Sequence, residues 1–337
     1  MKINKLLAMV FALAFLAAAC SSGSSATSSE GTDANSSSEE ESSGDTSEDG
    51  GDTGSATYHL ITHAGPGDAF WDIVKKGGED AGADLGVEVK YSNDADVQNQ
   101  AALIATAVSE GSDGIAVSTA DLDGLREEIG NAIDAGIPVI TINGAADIEG
   151  TKVLTHVGQG EVIAGEGAGL QLSDAGATKV LCIIHEEGNT SLEDRCAGAE
   201  KNVGIERIQV TGTEDIVATQ NEIQAKLQAD DSIDGILSLN PQVAIAAVNA
   251  KEGSGSEAIL GTFDNSGDVS EAITAGDILF GIDQQPYLQG YLPMVFFNLQ
   301  RTNLNVVGGG KAVSTGPGFI TQDNVAEVAE KAQAGTR

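Results

Sequence analysis

Side chains capable of specific chemistry follow short apolar runs in this 337-residue sequence. After the run 59–62 comes Gly67-Asp68-Ala69-Phe70-Trp71, a glycine loop with one carboxylate, a Phe and the only Trp of the chain. Aromatic residues at a helix start usually enter the core. Their alternative role is a platform for the apolar face of a sugar ring, with Asp68 accepting hydrogen bonds from the hydroxyls.

Three more polar residues, Asn143, Asn240 and Asp264, each follow another apolar run. Any one of them alone is readily explained as a helix N-cap or a turn residue. Parallel strands end at a common edge of the sheet, and ligands of such sheets bind there. Taken together, the three residues therefore predict a hydrogen-bonding site.

Patterns typical of catalysis are missing from the sequence. The four His residues, at positions 59, 63, 156 and 185, do not have the spacing of a metal site, and neither GxSxG nor a phosphate-binding loop occurs. Carboxylates are so abundant that no pair of them indicates a glycosidase. We therefore expect a non-enzymatic protein without a catalytic residue, metal or cofactor.

The elements that must position these residues alternate between strand and helix. Short β-rich runs are separated by helical stretches at 70–85, 97–110 and 122–135. The predicted strands lie at 59–62, 87–91, 114–117, 138–142, 180–184, 208–210, 235–239, 259–263 and 278–282. This alternation predicts an α/β fold with parallel sheets covered on both faces. So many strands exceed one core, and a pause in the pattern around 144–160 indicates two lobes facing across a cleft.

Four segments of the sequence match one family in the right order: 67–71, the run 136–143, Arg195-Cys196-Ala197-Gly198, and 283–291. From Tyr58 onward the sequence resembles the sugar-binding branch of the type I periplasmic binding proteins, the ribose-, galactose- and fructose-type receptors of ABC importers. The resemblance implies two Rossmann-like lobes with parallel sheets, joined by a three-crossover hinge. The N-terminal lobe would comprise 58–158 plus 286–308, and the C-terminal lobe 159–285 plus 309–330.

The resemblance also implies a set of ligand-binding residues: Asp68, Phe70, Trp71, Asn143, Arg195, Asn240, Asp264 and Gln284. Asn143 stands where ribose receptors have an Asp, so an obligate acceptor becomes a mixed donor and acceptor. Arg195 would bridge ring and hydroxyl oxygens; its alternative is a surface ion pair with Glu193 or Asp194. His185, Glu187 and Asn189 are either ligand contacts or loop supports.

Two cysteines, Cys182 and Cys196, lie 14 residues apart in the region of the second lobe. In an exported protein such an even pair predicts a disulfide that pins the Arg195 segment to a strand end. The alternative is two buried thiols.

The N-terminus has the pattern of an export signal. Residues 1–20 contain Lys2 and Lys5, a short apolar run and three alanines before Cys20, which resembles a bacterial lipobox. Cys20 would then be lipidated and anchor the protein to the cell membrane; the alternative is an ordinary signal peptide. Residues 21–57, rich in Ser, Gly and acidic residues, predict a disordered tether.

Negative charge excludes whole classes of partner. The formal net charge is -34, and the chain from Tyr58 onward has 42 acidic and 15 basic residues, a net charge of -27. Binding of nucleic acid or of an anionic membrane surface needs clustered basic residues. We therefore expect no nucleic acid among the partners.

The resemblance favours an extracytoplasmic, monomeric receptor that binds a monosaccharide or polyol and delivers it to an ABC permease. One alternative is a receptor that hands a sugar or autoinducer to a membrane sensor. The other is a secreted hydrolase.

Overall fold

The computed structural model of the chain describes residues 55–65 and 67–337. The predicted signal peptide (1–20), the lipidation site Cys20 and nearly all of the predicted tether (21–57) lie outside the described residues. At the far end of that tether, Ala56 is buried and Thr57 begins the first strand. The globular part therefore starts before the predicted boundary at Tyr58.

Two six-stranded sheets form the frame of the described chain. The first has the order β11-β5-β4-β3-β1-β2 and contains β1 (Thr57–Thr62), β2 (Glu88–Asn93), β3 (Gly114–Thr119), β4 (Val139–Gly144), β5 (Thr155–Gly158) and β11 (Val313–Ser314). The second has the order β12-β10-β9-β8-β6-β7 and contains β6 (Lys179–Ile184), β7 (Gly204–Gln209), β8 (Gly235–Ser238), β9 (Ile259–Phe263), β10 (Phe280–Asp283) and β12 (Gly318–Ile320). The two orders are equivalent, so each strand has a counterpart in the other lobe.

Helices connect the strands and cover the sheets. They are α1 (Ala69–Leu85), α2 (Val97–Ser109), α3 (Leu122–Asp134), α4 (Ile148–Thr151), α5 (Glu161–Asp174), α6 (Thr190–Ala199), α7 (Ile216–Ala229), α8 (Pro241–Ser254), α9 (Gly267–Ala275), α10 (Pro286–Asn303) and α11 (Val325–Gln333), with a 3-10 turn at Gly308–Gly310. No helix in the described part of the chain is both long and apolar enough to cross a membrane.

Apolar clusters lie on both faces of each sheet. In the first lobe, side chains of α1 and α10 pack on one face, and side chains of α2 and α3 pack on the other. In the second lobe, α5 and α6 cover one face, and α7, α8, α9 and α11 contribute to the other. Strands buried on both faces need continuous apolar runs, which is why the sequence pattern located them.

The chain passes three times between the lobes. The crossovers run from β5 to α5, from β10 to α10 and from β11 to β12. The third crossover lies at residues 315–317, whereas the sequence predicted a boundary between 308 and 309. The difference arises because Val313 and Ser314 pair with β5 of the first sheet, a two-residue strand too short to produce a hydrophobic pattern.

The predicted α/β architecture with two lobes is confirmed. Two details differ from the prediction. The pause at 144–160 contains the short helix α4 and the strand β5. In addition, β12 pairs with β10 in antiparallel orientation at the edge of an otherwise parallel sheet.

Close contact between α5 and α6 fixes the position of the Arg195 segment. A Cβ atom on Gly165 would overlap the backbone carbonyl oxygen of Arg195, so only glycine permits this approach. The predicted disulfide between Cys182 of β6 and Cys196 of α6 is present. The helix that bears Arg195 is thus attached both to α5 and to the second sheet.

We predict that replacing Cys182 and Cys196 together by Ala lowers the free energy of unfolding by roughly 3 kcal/mol, because the bond closes a loop of about 14 residues in the unfolded chain. Urea denaturation of the variant and of the wild type, with and without reductant, measures the difference. Reduction should bring the wild type close to the variant. Alkylation of both thiols in protein denatured without reductant would contradict the bond.

Candidate functional site

Residues at the carboxyl ends of strands from both lobes surround one small pocket, here called the inner pocket. All eight predicted ligand-binding residues line it: Asp68, Phe70, Trp71, Asn143, Arg195, Asn240, Asp264 and Gln284. The first four belong to the first lobe, and Gln284 lies on the second crossover. Folding therefore brings together residues that are up to 216 positions apart in the chain.

The first lobe contributes an aromatic wall. Phe70 and Trp71 lie in the first turn of α1 and are 7% and 4% exposed, so they belong to the core as well as to the pocket wall. Their rings meet edge to face with centroids 4.9 Å apart, and the His63 ring meets Trp71 edge to face at 4.6 Å. Both residues thus belong to the core and also line the pocket, while their role as a platform for a sugar ring stays a prediction.

Asp68 and Asn240 meet across the cleft. Each caps a helix: Asp68 accepts from the backbone NH of Phe70, and Asn240 accepts from the NH groups of Gln242 and Val243. The free ends of the two side chains face each other, with Asn240 Nδ2 3.4 Å from Asp68 Oδ2. Capping fixes both side chains, so their remaining polar atoms are held in the pocket.

Arg195 is buried in an ion pair with Glu161, the first residue of α5. The guanidinium donates to both carboxylate oxygens, with Nε–Oε2 and Nη2–Oε1 distances of 2.7 and 2.9 Å. Arg195 is 3% exposed and lies with its Cζ 4.5 Å from the ring centre of Phe263. The surface ion pair considered with Glu193 or Asp194 is not formed, because the side chain turns inward to Glu161.

Gln284 links the two lobes through its amide group. Its Oε1 accepts from Asn143 Nδ2 at 3.0 Å, and its Nε2 donates to Asp264 Oδ1 at 2.8 Å. Asn143 is the penultimate residue of β4, and Asp264 follows β9, the counterpart of β4 in the second lobe. Both have left-handed backbone conformations, with φ of 44° and 64°. Such strained conformations concentrate at functional sites.

The sequence left His185, Glu187 and Asn189 as either ligand contacts or loop supports, and the three do not all line the same cavity. His185 and Asn189 line the inner pocket, and Asn189 also caps α6. Glu187 lies instead on an adjoining cavity, here called the outer groove, which is lined by residues 63, 65, 95–97, 100, 120–121, 185–189, 211 and 213–214. The outer groove shares His63, His185, Glu186 and Asn189 with the inner pocket.

Sequence reasoning missed several residues of the site. The inner pocket is also lined by His63, Glu186, Ser191, Leu192 and Leu239, and Glu161 lies directly behind Arg195. His63 follows β1 and Glu186 follows β6, so the rule that sites lie after parallel strands could have found both. Nothing in the sequence distinguishes Glu161 from the other 50 acidic residues.

Burial changes the protonation of the site. It raises the pKa of Asp264 to about 7, although Arg195 acts in the opposite direction, and it raises the pKa of Asp68 to about 6. Burial lowers the pKa of His185 to about 4. The cause is the same in all three cases, since a side chain removed from water loses the hydration of its charged form.

The pocket combines acceptors, donors and aromatic edges around one cation that is already paired. This composition suits an uncharged ligand with many hydroxyl groups, each of which donates and accepts a hydrogen bond. An analogue that leaves a buried group of the site unpaired is strongly rejected. In the described residues, no group of three or more His, Cys, Asp or Glu could hold a metal ion.

Comparison with known proteins finds one family and several similar structures. Residues 60–297 match the family described as "Periplasmic binding protein domain". A solved carbohydrate transporter from Acidothermus cellulolyticus 11B, in complex with myo-inositol, is 40% identical; the match covers 84% of this chain and 100% of that one, with a TM-score of 0.82.

Two curated relatives are more distant. The xylose/arabinose-binding protein XylF of Sulfolobus acidocaldarius is 26% identical over 239 residues, which are 65% of this chain and 59% of the relative. The ribose import binding protein RbsB of Bacillus subtilis is 25% identical over 233 residues, which are 66% of this chain and 74% of the relative.

We predict that Asp264→Asn changes how stability depends on pH. The folded protein keeps a proton on Asp264 up to about pH 7, whereas an unfolded Asp releases it near pH 4. Through this group the free energy of unfolding therefore falls as pH rises from about 4 to about 7, by at most about 1.4 kcal/mol per pH unit. Relative to the wild type, the variant should gain stability across that window.

Urea denaturation at several pH values between 4 and 7.5 measures this difference. His185 acts in the opposite direction, because its lowered pKa makes the folded state more stable as pH rises from about 4 to about 6.5. The comparison must therefore use differences between variant and wild type. Asp268→Asn, which removes an exposed carboxylate of the same lobe, is the control for loss of one charge. Parallel profiles for the two variants would contradict the burial of a protonated Asp264.

Proposed function

The chain belongs to the periplasmic binding protein domain family and has its type I fold, and from this premise we propose that it is the extracytoplasmic solute receptor of an ABC importer. The ligand is a monosaccharide or polyol held between the lobes in the inner pocket. The main support is the inner pocket itself, where fixed donors, acceptors and two aromatic edges converge from both lobes.

A neutral ligand fits the charges better than a sugar acid or a sugar phosphate does. The only Arg or Lys that lines the inner pocket within the described chain is Arg195, and Glu161 already neutralises it. Asp68 and Asp264 face the same space and would repel an anion when ionised. Hydroxyl groups, in contrast, can donate to both carboxyl groups and accept from the amides of Asn143 and Asn240.

The relatives support the same ligand class. The similar Acidothermus structure holds myo-inositol, a cyclic polyol, and the two curated relatives are named for pentoses. These compounds share a compact ring that carries several hydroxyl groups. In this proposal Phe70 and Trp71 contact the ring, and the polar residues contact its hydroxyls.

Contacts across the cleft support ligand capture by lobe closure. Gln242 Nε2 donates to Gly67 O at 3.2 Å, and Thr190 Oγ1 donates to Ala120 O at 3.4 Å, in addition to the contact between Asn240 and Asp68. Closure about three short crossovers is a hinge motion, and it would present a defined surface of both lobes to the permease. The receptor acts as a monomer in this proposal.

In this proposal the segment that precedes the first strand attaches the receptor to the cell membrane. Residues 1–20 direct export, Cys20 carries the lipid, and the acidic segment that follows holds the lobes away from the anionic cell surface. The support is the run of alanines before Cys20 and the absence of basic residues from 21–57.

We predict that at least one monosaccharide or polyol raises the melting temperature of the purified protein. A panel of myo-inositol, D-ribose, D-xylose, L-arabinose, D-glucose and D-galactose tests this by thermal shift, because a ligand bound only by the folded state adds about 2.7 kcal/mol at 100 times its Kd. Trp71→Ala should abolish the shift. The control Phe296→Ala truncates an aromatic residue of the same lobe outside the pocket and should keep it. A panel without any shift would refute the proposed ligand class.

We also predict that Cys20→Ala releases the receptor from the membrane, because the thiol that accepts the lipid is lost. Fractionation of cells that express the full chain, with metabolic labelling by a fatty acid, measures anchoring. Cys196→Ala is the control, since it removes a cysteine of the folded part and should leave the label in place. A Cys20→Ala form that stays in the membrane fraction would contradict lipidation.

A further inference from the structure

A chain of hydrogen-bonded side chains starts at Gln289 of α10 and ends at the inner pocket. Gln289 is 0% exposed and is not among the described residues that line the pocket. Its Nε2 atom lies 2.9 Å from Gln284 Oε1, 3.2 Å from Gln284 O and 3.3 Å from Thr315 Oγ1. From Gln284 the chain continues to Asn143 and Asp264, and these three residues line the pocket. Gln289 thus contacts the site from outside it.

The direction of this chain follows from one group that cannot donate. The backbone carbonyl oxygen of Gln284 only accepts, so Gln289 must turn its NH2 group toward Gln284. The same NH2 group requires an oxygen at 2.9 Å, which must be Gln284 Oε1. The other end of the Gln284 amide is then its NH2 group, which donates to Asp264 Oδ1. The residue at position 143 must donate to Gln284 Oε1, as the Asn143 amide does.

This direction leaves Gln284 Oε1 with no acceptor capacity for a ligand. An amide oxygen has two lone pairs, and the donors from Gln289 and Asn143 occupy both. Within the described chain Gln284 Nε2 donates only to Asp264, so one of its two N–H groups remains. Gln284 can therefore offer a ligand a donor but no acceptor.

Without Gln289 the opposite direction would also form complete hydrogen bonds. Burial raises the pKa of Asp264 to about 7, so below that pH its carboxyl group is mostly protonated and can donate to Gln284. Gln284 would then turn its NH2 group toward the oxygen of Asn143. Gln289 opposes this arrangement, because its own NH2 group would face the NH2 group of Gln284.

The oxygen of Gln289 shows which half of this amide matters. Gln289 Oε1 is buried and has no hydrogen-bond partner in the described chain. A buried acceptor without a donor destabilises the folded state, and an apolar side chain of similar length would avoid that cost. The amide at this position therefore contributes through its NH2 group alone.

We propose that Gln289 is a positioning residue for ligand recognition, which fixes the direction of the hydrogen-bond chain so that Gln284 donates both to Asp264 and to the ligand. Gln289 itself does not touch the ligand. The ligand must then place an oxygen acceptor at Gln284, which a ring oxygen or a hydroxyl group supplies. This inference rests on the proposed function, because the ligand binds in the inner pocket.

Exchanging the two ends of the chain tests the direction. The double variant Asn143→Asp/Asp264→Asn keeps the net charge but requires Gln284 to turn around. At about pH 8.5 a carboxylate at position 143 accepts only, and with Gln289 present it faces Gln284 Oε1. Urea denaturation of the full chain should show that the exchange raises the equilibrium constant of unfolding at least about tenfold less in the Gln289→Met background than in the wild type.

A matched control separates direction from a general effect of the substitution. Gln300→Met makes the same replacement near the end of α10, outside the inner pocket, and should leave the effect of the exchange at its full size. An equal effect of the exchange in the wild type and in the Gln289→Met background would overturn the inference.

A second comparison needs no change at Gln289, in case Gln289→Met does not fold. The exchanged protein is compared with Asp264→Asn alone, and the difference in unfolding should grow as pH rises from about 5 to about 8.5. The reason is that a carboxyl group forced to donate to Gln284 must keep its proton in the folded state, so its folded pKa lies above the unfolded one. A difference that stays constant over this range would overturn the inference.

Ligand affinity gives a further readout. At about pH 6, isothermal titration of the tightest-binding compound of the sugar panel should give a Kd about two- to fivefold higher for Gln289→Met, because only one of the two directions then binds. At about pH 8.5 this ratio should approach one, since ionised Asp264 can only accept from Gln284. The charged groups that act on Asp264, namely Arg195, Glu161 and Asp68, are the same in both proteins. A ratio independent of pH would contradict the proposal.

The outcomes separate the two proposals. If no compound of the panel binds, the proposed function fails, and the unfolding measurements alone decide whether Gln289 sets the direction. If compounds bind but the exchange has the same effect in both backgrounds, the inference is overturned alone.

Discussion

Two opposite charges buried side by side constrain the whole site. Arg195 and Glu161 are 4% and 5% exposed at their side chains, and removing one partner of such a pair leaves an uncompensated buried charge that costs about 3–5 kcal/mol. The helices that carry them must therefore stay in contact. Gly165 lets α5 and α6 approach, and the bond between Cys182 and Cys196 holds α6 on the second sheet.

Because Arg195 is already paired with Glu161, the inner pocket has no unpaired Arg or Lys among its described lining residues. Burial in the closed pocket removes water from Asp68 and Asp264 and raises the pKa of both, and Arg195, already paired with Glu161, only partly offsets this rise at Asp264. A ligand rich in hydroxyls offers hydrogen bonds to these carboxyl groups in either protonation state. An anion would add a third negative group to the same space, which explains why we favour polyols over sugar acids.

The sequence predicted the architecture and the pocket-lining positions well, because both depend on local patterns. Buried parallel strands are continuous apolar runs, and the residues directly after them lie at the ligand edge; Asn143 and Asp264 were found in this way. Glu161 could not be found, since its role depends on how closely α5 and α6 pack, and its partner Arg195 lies 34 positions further along the chain. The third crossover was misplaced because β11 has only two residues.

A double-mutant cycle on Glu161 and Arg195 tests most directly whether the buried pair organises ligand binding. Isothermal titration of the tightest-binding compound would give the Kd for the wild type, for Glu161→Gln, for Arg195→Met and for the double variant. If Glu161 acts by holding Arg195, Glu161→Gln weakens binding in the wild type and has no further effect in the Arg195→Met background. If the two losses in binding free energy simply add, the residues act independently and the account is wrong.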